Sequence, residues 1–115
     1  MITKNIKRLS FAFAGIFYAL KNDSSYRQQF YGIGIVIAIF IYLYQDITQT
    51  ELFFLVLAYA LILITELQNS SLEEALDHMH PELHDKIGRS KDMAAGAVLT
   101  AGFILLFVII AITFF

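Results

Sequence analysis

The last 23 residues of the chain, Met93 to Phe115, carry no charged side chain. A helix that crosses a bilayer needs about 20 apolar residues, with a range of about 17–25, so this run suffices alone. Two further charge-free runs are shorter: Phe30 to Tyr44, of 15 residues, and Leu52 to Thr65, of 14, closed by Glu51 and Glu66. Taken singly, these two also fit buried core helices. They cross a membrane only if their helices continue through polar flanks, back through Tyr26-Arg27-Gln28-Gln29 for the first and on through Gln68 for the second. A soluble chain of 115 residues has too little interior to bury all three runs. Composition agrees: 58% of residues are hydrophobic and 16% charged, against about 45–50% and about 25% in soluble domains. The expectation is one all-α integral membrane domain over residues 1–115, with spans at about 27–45, 51–68 and 93–115.

Charge placement gives an orientation. Lys4, Lys7, Arg8, Lys21 and Arg27 precede or open the first span, and Lys86, Arg89 and Lys91 lie between the second and third. The connector from Gln45 to Glu51 carries two acids and no base. All the bases therefore fall on one side, which the positive-inside rule makes cytoplasmic. The C-terminus then lies outside. The first 20 residues are broken by Asn5, Lys7, Arg8 and Ser10 and lack the apolar core of a signal peptide. A net charge of −2 argues against nucleic acid as a partner. With no cysteine there is no disulfide framework, thiolate nucleophile or zinc ribbon.

Residues at about 4–22 form an amphipathic pattern. On a helical wheel Ile6, Leu9, Phe13, Ile16, Phe17 and Leu20 fall within an arc of about 100°, with Lys7, Arg8 and Lys21 elsewhere. That suits a helix lying in the headgroup plane. It equally suits a helix docked on the chain's own spans. Either places it at the cytoplasmic surface.

The second span runs without Gly or Pro into Glu66-Leu67-Gln68-Asn69-Ser70-Ser71-Leu72-Glu73-Glu74-Ala75-Leu76-Asp77. Glu66, Asn69, Ser70, Glu73 and Asp77 share a stripe about three turns long. Acidic groups near a membrane are costly unless paired or facing water. One account is a solvated face beside the basic inner loop, which suits Glu74 and Glu82. The other is a functional site, which we favour for Glu66, Glu73 and Asp77. Neighbouring carboxylates relieve their repulsion by binding a divalent cation, and hard oxygen donors without cysteine point to Mg²⁺. Carboxylate-bound Mg²⁺ beside bases suits phosphoryl transfer.

The inner loop adds bases and a helix start. Ser90 is a candidate cap for the third span, which would put Lys91 and Asp92 in a first turn whose amides attract anions. Lys91 there is either a phosphate ligand or a headgroup-level anchor. His78, His80 and His84 are too loosely spaced, with Pro81 between them, to read as a metal cluster. No Walker A, kinase Gly-rich loop or GxGxxG occurs.

Glu66 through Glu73 to Asp77, and then Gly88-Arg89-Ser90-Lys91-Asp92-Met93-Ala94-Ala95-Gly96-Ala97-Val98-Leu99, resemble the prokaryotic diacylglycerol kinase family, which includes the undecaprenol kinases. The pattern is E-x-x-N-[ST]-x-[IL]-E-x-x-x-D, followed about a dozen residues on by K-D-[MVI]-x-x-x-A-V-L. Ala19-Leu20-Lys21-Asn22-Asp23 and Tyr26-Arg27-Gln28 resemble the family's N-terminal segment, so the likeness spans nearly the whole chain. It implies a homotrimer of three-span protomers, each with an N-terminal surface helix. It also implies active sites at protomer interfaces, on the cytoplasmic side of the bacterial inner membrane. The implied activity is ATP-dependent phosphorylation of a lipid's primary hydroxyl, diacylglycerol to phosphatidic acid first and undecaprenol as the alternative.

Carried over by position, the resemblance makes Glu66 the general base and Asn69 its support. Asp23 and Glu73 become holders of Mg²⁺ on the ATP phosphates. Lys91 and Asp92 become nucleotide contacts, and Lys4, Glu82 and His84 fall at further ATP-contacting positions. Three positions depart from the family. Asp23 stands where Glu is usual and Lys4 where Arg occurs, which loses a bidentate phosphate contact. Gln29 replaces a Glu found in the diacylglycerol branch. Two other classes remain: a small multidrug-transporter-like oligomer, which would need Glu66 near midspan, and a structural membrane subunit, which leaves Lys91-Asp92 without a role.

Overall fold

The computed structural model of the chain describes residues 1–79, 82 and 84–115, and it holds four helices among them. We label these α1 (Ile2–Asn22), α2 (Ser24–Leu43), α3 (Gln49–Met79) and α4 (Asp85–Phe114). His80, Pro81 and Leu83 lie outside the described residues, and with them one of the three histidines weighed as a metal cluster. The last three helices are each long and apolar enough to cross a membrane.

Asp23 makes the elbow between α1 and α2. Its backbone is extended, at φ −106° and ψ 107°, which ends α1. Its side chain then opens α2: Oδ1 accepts the amides of Ser25 at 3.0 Å and Tyr26 at 3.2 Å, as an N-cap does. Arg27 reaches back across the elbow and donates to the carbonyls of Leu20 at 3.2 Å and Lys21 at 2.8 Å. Those carbonyls end α1 and have no partner within it.

Helix α2 is not uniformly α. Gln29–Ile33 forms one π-turn, where the hydrogen-bond ladder slips by a residue. The hydroxyl of Tyr59, on α3, donates to the Phe30 carbonyl at 2.5 Å. Gly34 permits that approach, since a Cβ there would lie 2.9 Å from the Tyr59 oxygen. At the outer end Thr48 and Glu51 cap α3 reciprocally: the Thr48 amide donates to Glu51 at 3.0 Å and the Glu51 amide to Thr48 Oγ1 at 3.1 Å. Tyr44 donates to the Ile112 carbonyl at 3.0 Å, tying the outer ends of α2 and α4 together.

The core is a seam. Ile37 of α2, Leu55, Ala58 and Ile62 of α3, and Ala101 and Leu105 of α4 form one buried cluster, and α3 packs most extensively on α4. The seam's α3 residues recur at helical spacing, so one face of each helix is used. The opposite faces, with Phe53, Phe54 and Leu57 on α3 and Phe103, Leu106 and Phe107 on α4, are more than half exposed. Apolar faces of that extent suit lipid or neighbouring copies rather than water.

One expectation from the sequence is corrected. Helix α4 begins at Asp85 with His84 as its cap, not at Ser90. His84 Nδ1 accepts the Lys86 amide at 3.2 Å, and the Gly88 amide already bonds the His84 carbonyl at 2.8 Å. Nothing after Pro81 blocks an earlier start, so the helix nucleates as soon as a cap is available. Lys91 and Asp92 consequently lie in the helix interior, away from the free amides of a helix start.

Candidate active site

The inner third of α3 carries the acidic stripe on an unbroken helix, and its members differ sharply in environment. Glu66 is 5% exposed and Asn69 is 9% exposed, whereas Glu73, Glu74 and Asp77 are open to solvent. Asp23, at the elbow, and Glu73, two turns on, lie within electrostatic reach of Glu66. The structure therefore gathers Asp23, Glu66, Asn69 and Glu73 at one place, from two helices. The elbow is where the two helices part: Asp23 is extended there and caps α2.

Asn69 Oδ1 is buried and has no hydrogen-bond partner among the described residues. A buried acceptor left unmade costs about 1–3 kcal/mol, so an oxygen of this kind calls for a donor from a ligand or a water. One turn separates it from Glu66 on the same face.

Between α1 and α3 lies a cavity of about 530 Å³. Phe11, Ile16 and Leu67 form its apolar part, and Asp23, Ser70 and Glu74 line it with polar groups. Tyr18 on α1 donates to Glu74 Oε1 on α3 at 3.0 Å, across this cavity. The Glu74 carboxylate, through that bond and through its charge, holds the Tyr18 phenol above its ordinary pKa. The tyrosine therefore stays the donor.

The other residues singled out in the sequence are more scattered. Lys91 pairs with Asp77 across the inner ends of α4 and α3. Opposite charges at the ends of consecutive helices are the signal in the sequence for this pair. Asp92 and Glu82 are exposed. His84 is exposed and uses Nδ1 for its cap, which leaves Nε2 as a donor facing outward. Lys4 is on α1 roughly 28 Å from Asp23 along the helix axis and is exposed. A single protomer does not bring it to the carboxylates.

Among the described residues no group of three His, Cys, Asp or Glu side chains is poised to hold a metal. The two-carboxylate set of Asp23 and Glu73 fits Mg²⁺, which usually binds through one or two carboxylates with substrate phosphates and water completing the shell. Asp23 commits Oδ1 to backbone amides, and Oδ2 is the oxygen left for an ion.

Comparison with known proteins gives a family. Residues 10–113 match the model of the prokaryotic diacylglycerol kinases. The diacylglycerol kinase of Escherichia coli (strain K12) is 31% identical over 99 residues, covering 86% of this chain and 80% of that protein. The diacylglycerol kinase of Shigella flexneri matches to the same extent. That of Haemophilus influenzae is 28% identical over 100 residues, covering 87% and 83%.

Proposed function

This chain belongs to the prokaryotic diacylglycerol kinase family and is a multi-pass bacterial membrane lipid kinase, and from that premise we propose that it transfers the γ-phosphate of ATP to the primary hydroxyl of diacylglycerol. The product is phosphatidic acid, with ADP leaving. The observation that carries the reading is the unpartnered Asn69 oxygen one turn from buried Glu66. A carboxylate and an amide so placed suit a substrate hydroxyl: Glu66 accepts its one proton and takes it as the oxygen bonds to phosphorus, while the Asn69 amide holds the hydroxyl oxygen through its N–H. Removal of both from bulk water keeps solvent from competing for either group.

Mg²⁺, when bound, neutralises the charge that spreads over the phosphate oxygens during transfer, and Asp23 and Glu73 would hold it. Lys91 and Asp92 on α4, with Glu82 and His84 just before it, supply charges and hydrogen bonds for the nucleotide. Most of the acceleration comes from positioning and electrostatics. The cavity beside Asp23 and Ser70 admits the lipid's glycerol end from the bilayer.

The working unit in this reading is a homotrimer in the inner membrane with its sites on the cytoplasmic side. Two features support it. Lys4 is too far from Asp23 to serve the site of its own protomer, and the apolar faces of α3 and α4 are uncovered. The N-terminal helix α1 lies at the membrane surface in this arrangement, with Lys7 and Arg8 toward the headgroups.

The substrate is tested by competition. Purified protein with labelled ATP and Mg²⁺ is offered diacylglycerol and undecaprenol together in mixed micelles. Labelled phosphatidic acid as the main product supports the proposal. Undecaprenyl phosphate as the main product overturns its choice of lipid, and no labelled lipid at all overturns the kinase reading.

A further inference from the structure

Helix α1 is weakly attached. It packs chiefly on the first turn of α2, and its backbone approaches α3 at very few points. Among the described residues, the Tyr18–Glu74 bond is the one side-chain hydrogen bond joining α1 to α3, linking positions 56 residues apart in the chain. Both residues line the cavity between the two helices, together with Phe11, Ile16, Leu67 and Ser70. Tyr18 lies about one turn before the elbow, where Asp23 and Arg27 make their caps and hold the C-terminal end of α1. A long helix pinned at one end over an apolar cavity, with a single polar tie across it, has the construction of a lid.

We propose that the Tyr18–Glu74 hydrogen bond latches α1 over the cavity and thereby sets how tightly a lipid alcohol is held there. The inference rests on the lipid-kinase reading of the same site. While the bond is made, α1 closes on the glycerol end of the lipid lying between Phe11, Ile16 and Leu67. When it breaks, α1 lifts and lipid passes in or out from the side of the bilayer. Neither residue touches the reacting atoms in this scheme: Tyr18 and Glu74 are positioning residues. Their loss should therefore be felt in lipid affinity and not in phosphate transfer.

The test is a set of four variants assayed for both substrates. Tyr18→Phe and Glu74→Ala each remove the bond and should raise the KM for lipid about threefold, with the KM for ATP and kcat little changed. Glu74→Gln keeps an acceptor oxygen and should behave as the unmodified chain. The Tyr18→Phe/Glu74→Ala double variant should be no worse than either single one, because both break the same contact. An unchanged lipid KM in Tyr18→Phe, or Glu74→Gln behaving like Glu74→Ala, overturns the latch.

A second measurement does not depend on activity. The chain has no cysteine, so Ser10→Cys and His78→Cys can carry spin labels on α1 and α3 without other sites reacting. Diluted into unlabelled chains, these labels should give one narrow distance, and adding Tyr18→Phe should broaden it. Identical distributions overturn the latch even if the enzyme is active. Conversely, if no lipid is phosphorylated, the kinase reading fails while the distances still decide whether the bond closes the cavity.

Discussion

Lys91 Nζ and Asp77 Oδ1 form an ion pair that closes the inner ends of α3 and α4. The two side chains are 33% and 64% exposed, so water screens the pair and its share of stability is small, about 0–1 kcal/mol. In the proposed kinase site its effect is positional: it fixes where the Lys91 ammonium, a nucleotide contact in that reading, is held. Asp77→Asn should therefore leave the melting temperature in detergent nearly unchanged and raise the KM for ATP. A large fall in melting temperature without a change in KM would make the pair structural.

A glycine and a hydroxyl meet at the π-turn of α2. In Gly34→Ala the new Cβ would meet the Tyr59 oxygen at 2.9 Å, so the hydroxyl must shift and its bond to the Phe30 carbonyl is weakened. The expected cost is about 1 kcal/mol, from the crowding and the weakened bond. Tyr59→Phe relieves the crowding, so the double variant should be more stable than the sum of the single changes requires. Denaturation in mixed detergent micelles measures this. Strict additivity would show that the two positions do not meet.

Asn69 separates stability from function. Asn69→Leu removes an unpartnered buried acceptor, so the chain without substrate should hold its stability or gain about 1 kcal/mol. Turnover should fall by at least tenfold, because nothing then holds the hydroxyl. A variant both less stable and fully active would show that the oxygen serves the fold through a bridging water.

Much of this architecture is legible in the chain itself, because it depends on local patterns. Three charge-free runs mark the last three helices, and the stripe from Glu66 to Asp77 appears as soon as the second run is continued as a helix. The limits of the helices are less legible. The start of α4 at Asp85 depends on His84 turning its ring to the Lys86 amide, a choice that Ser90 also offers on paper. The contact at the π-turn is with Tyr59, a residue 29 positions from the carbonyl it meets. The sequence shows Tyr18 on one helix and Glu74 on another, but nothing in either segment states that they touch. The burial of Glu66 against the openness of Glu73 follows from how α2 and α4 pack on α3, which the periodicity of α3 alone does not contain.

The proposed sharing of sites between copies has a direct consequence. In that reading Lys4→Ala and Glu66→Gln each damage a different part of the site, and α1 carries Lys4 far from its own Asp23. Co-expressed in one membrane, chains with either change should form mixed oligomers in which some sites are whole. Activity above that of either variant alone is expected. Activity no higher than the better single variant would indicate sites built within one protomer.

The central claim concerns Glu66, and Glu66→Gln tests it most directly. The change keeps size and shape and removes only the ability to take a proton. With labelled ATP, Mg²⁺ and diacylglycerol, the purified variant should elute and melt as the unmodified chain does and yield no labelled phosphatidic acid. Transfer at the unmodified rate by a correctly assembled Glu66→Gln protein would contradict the account.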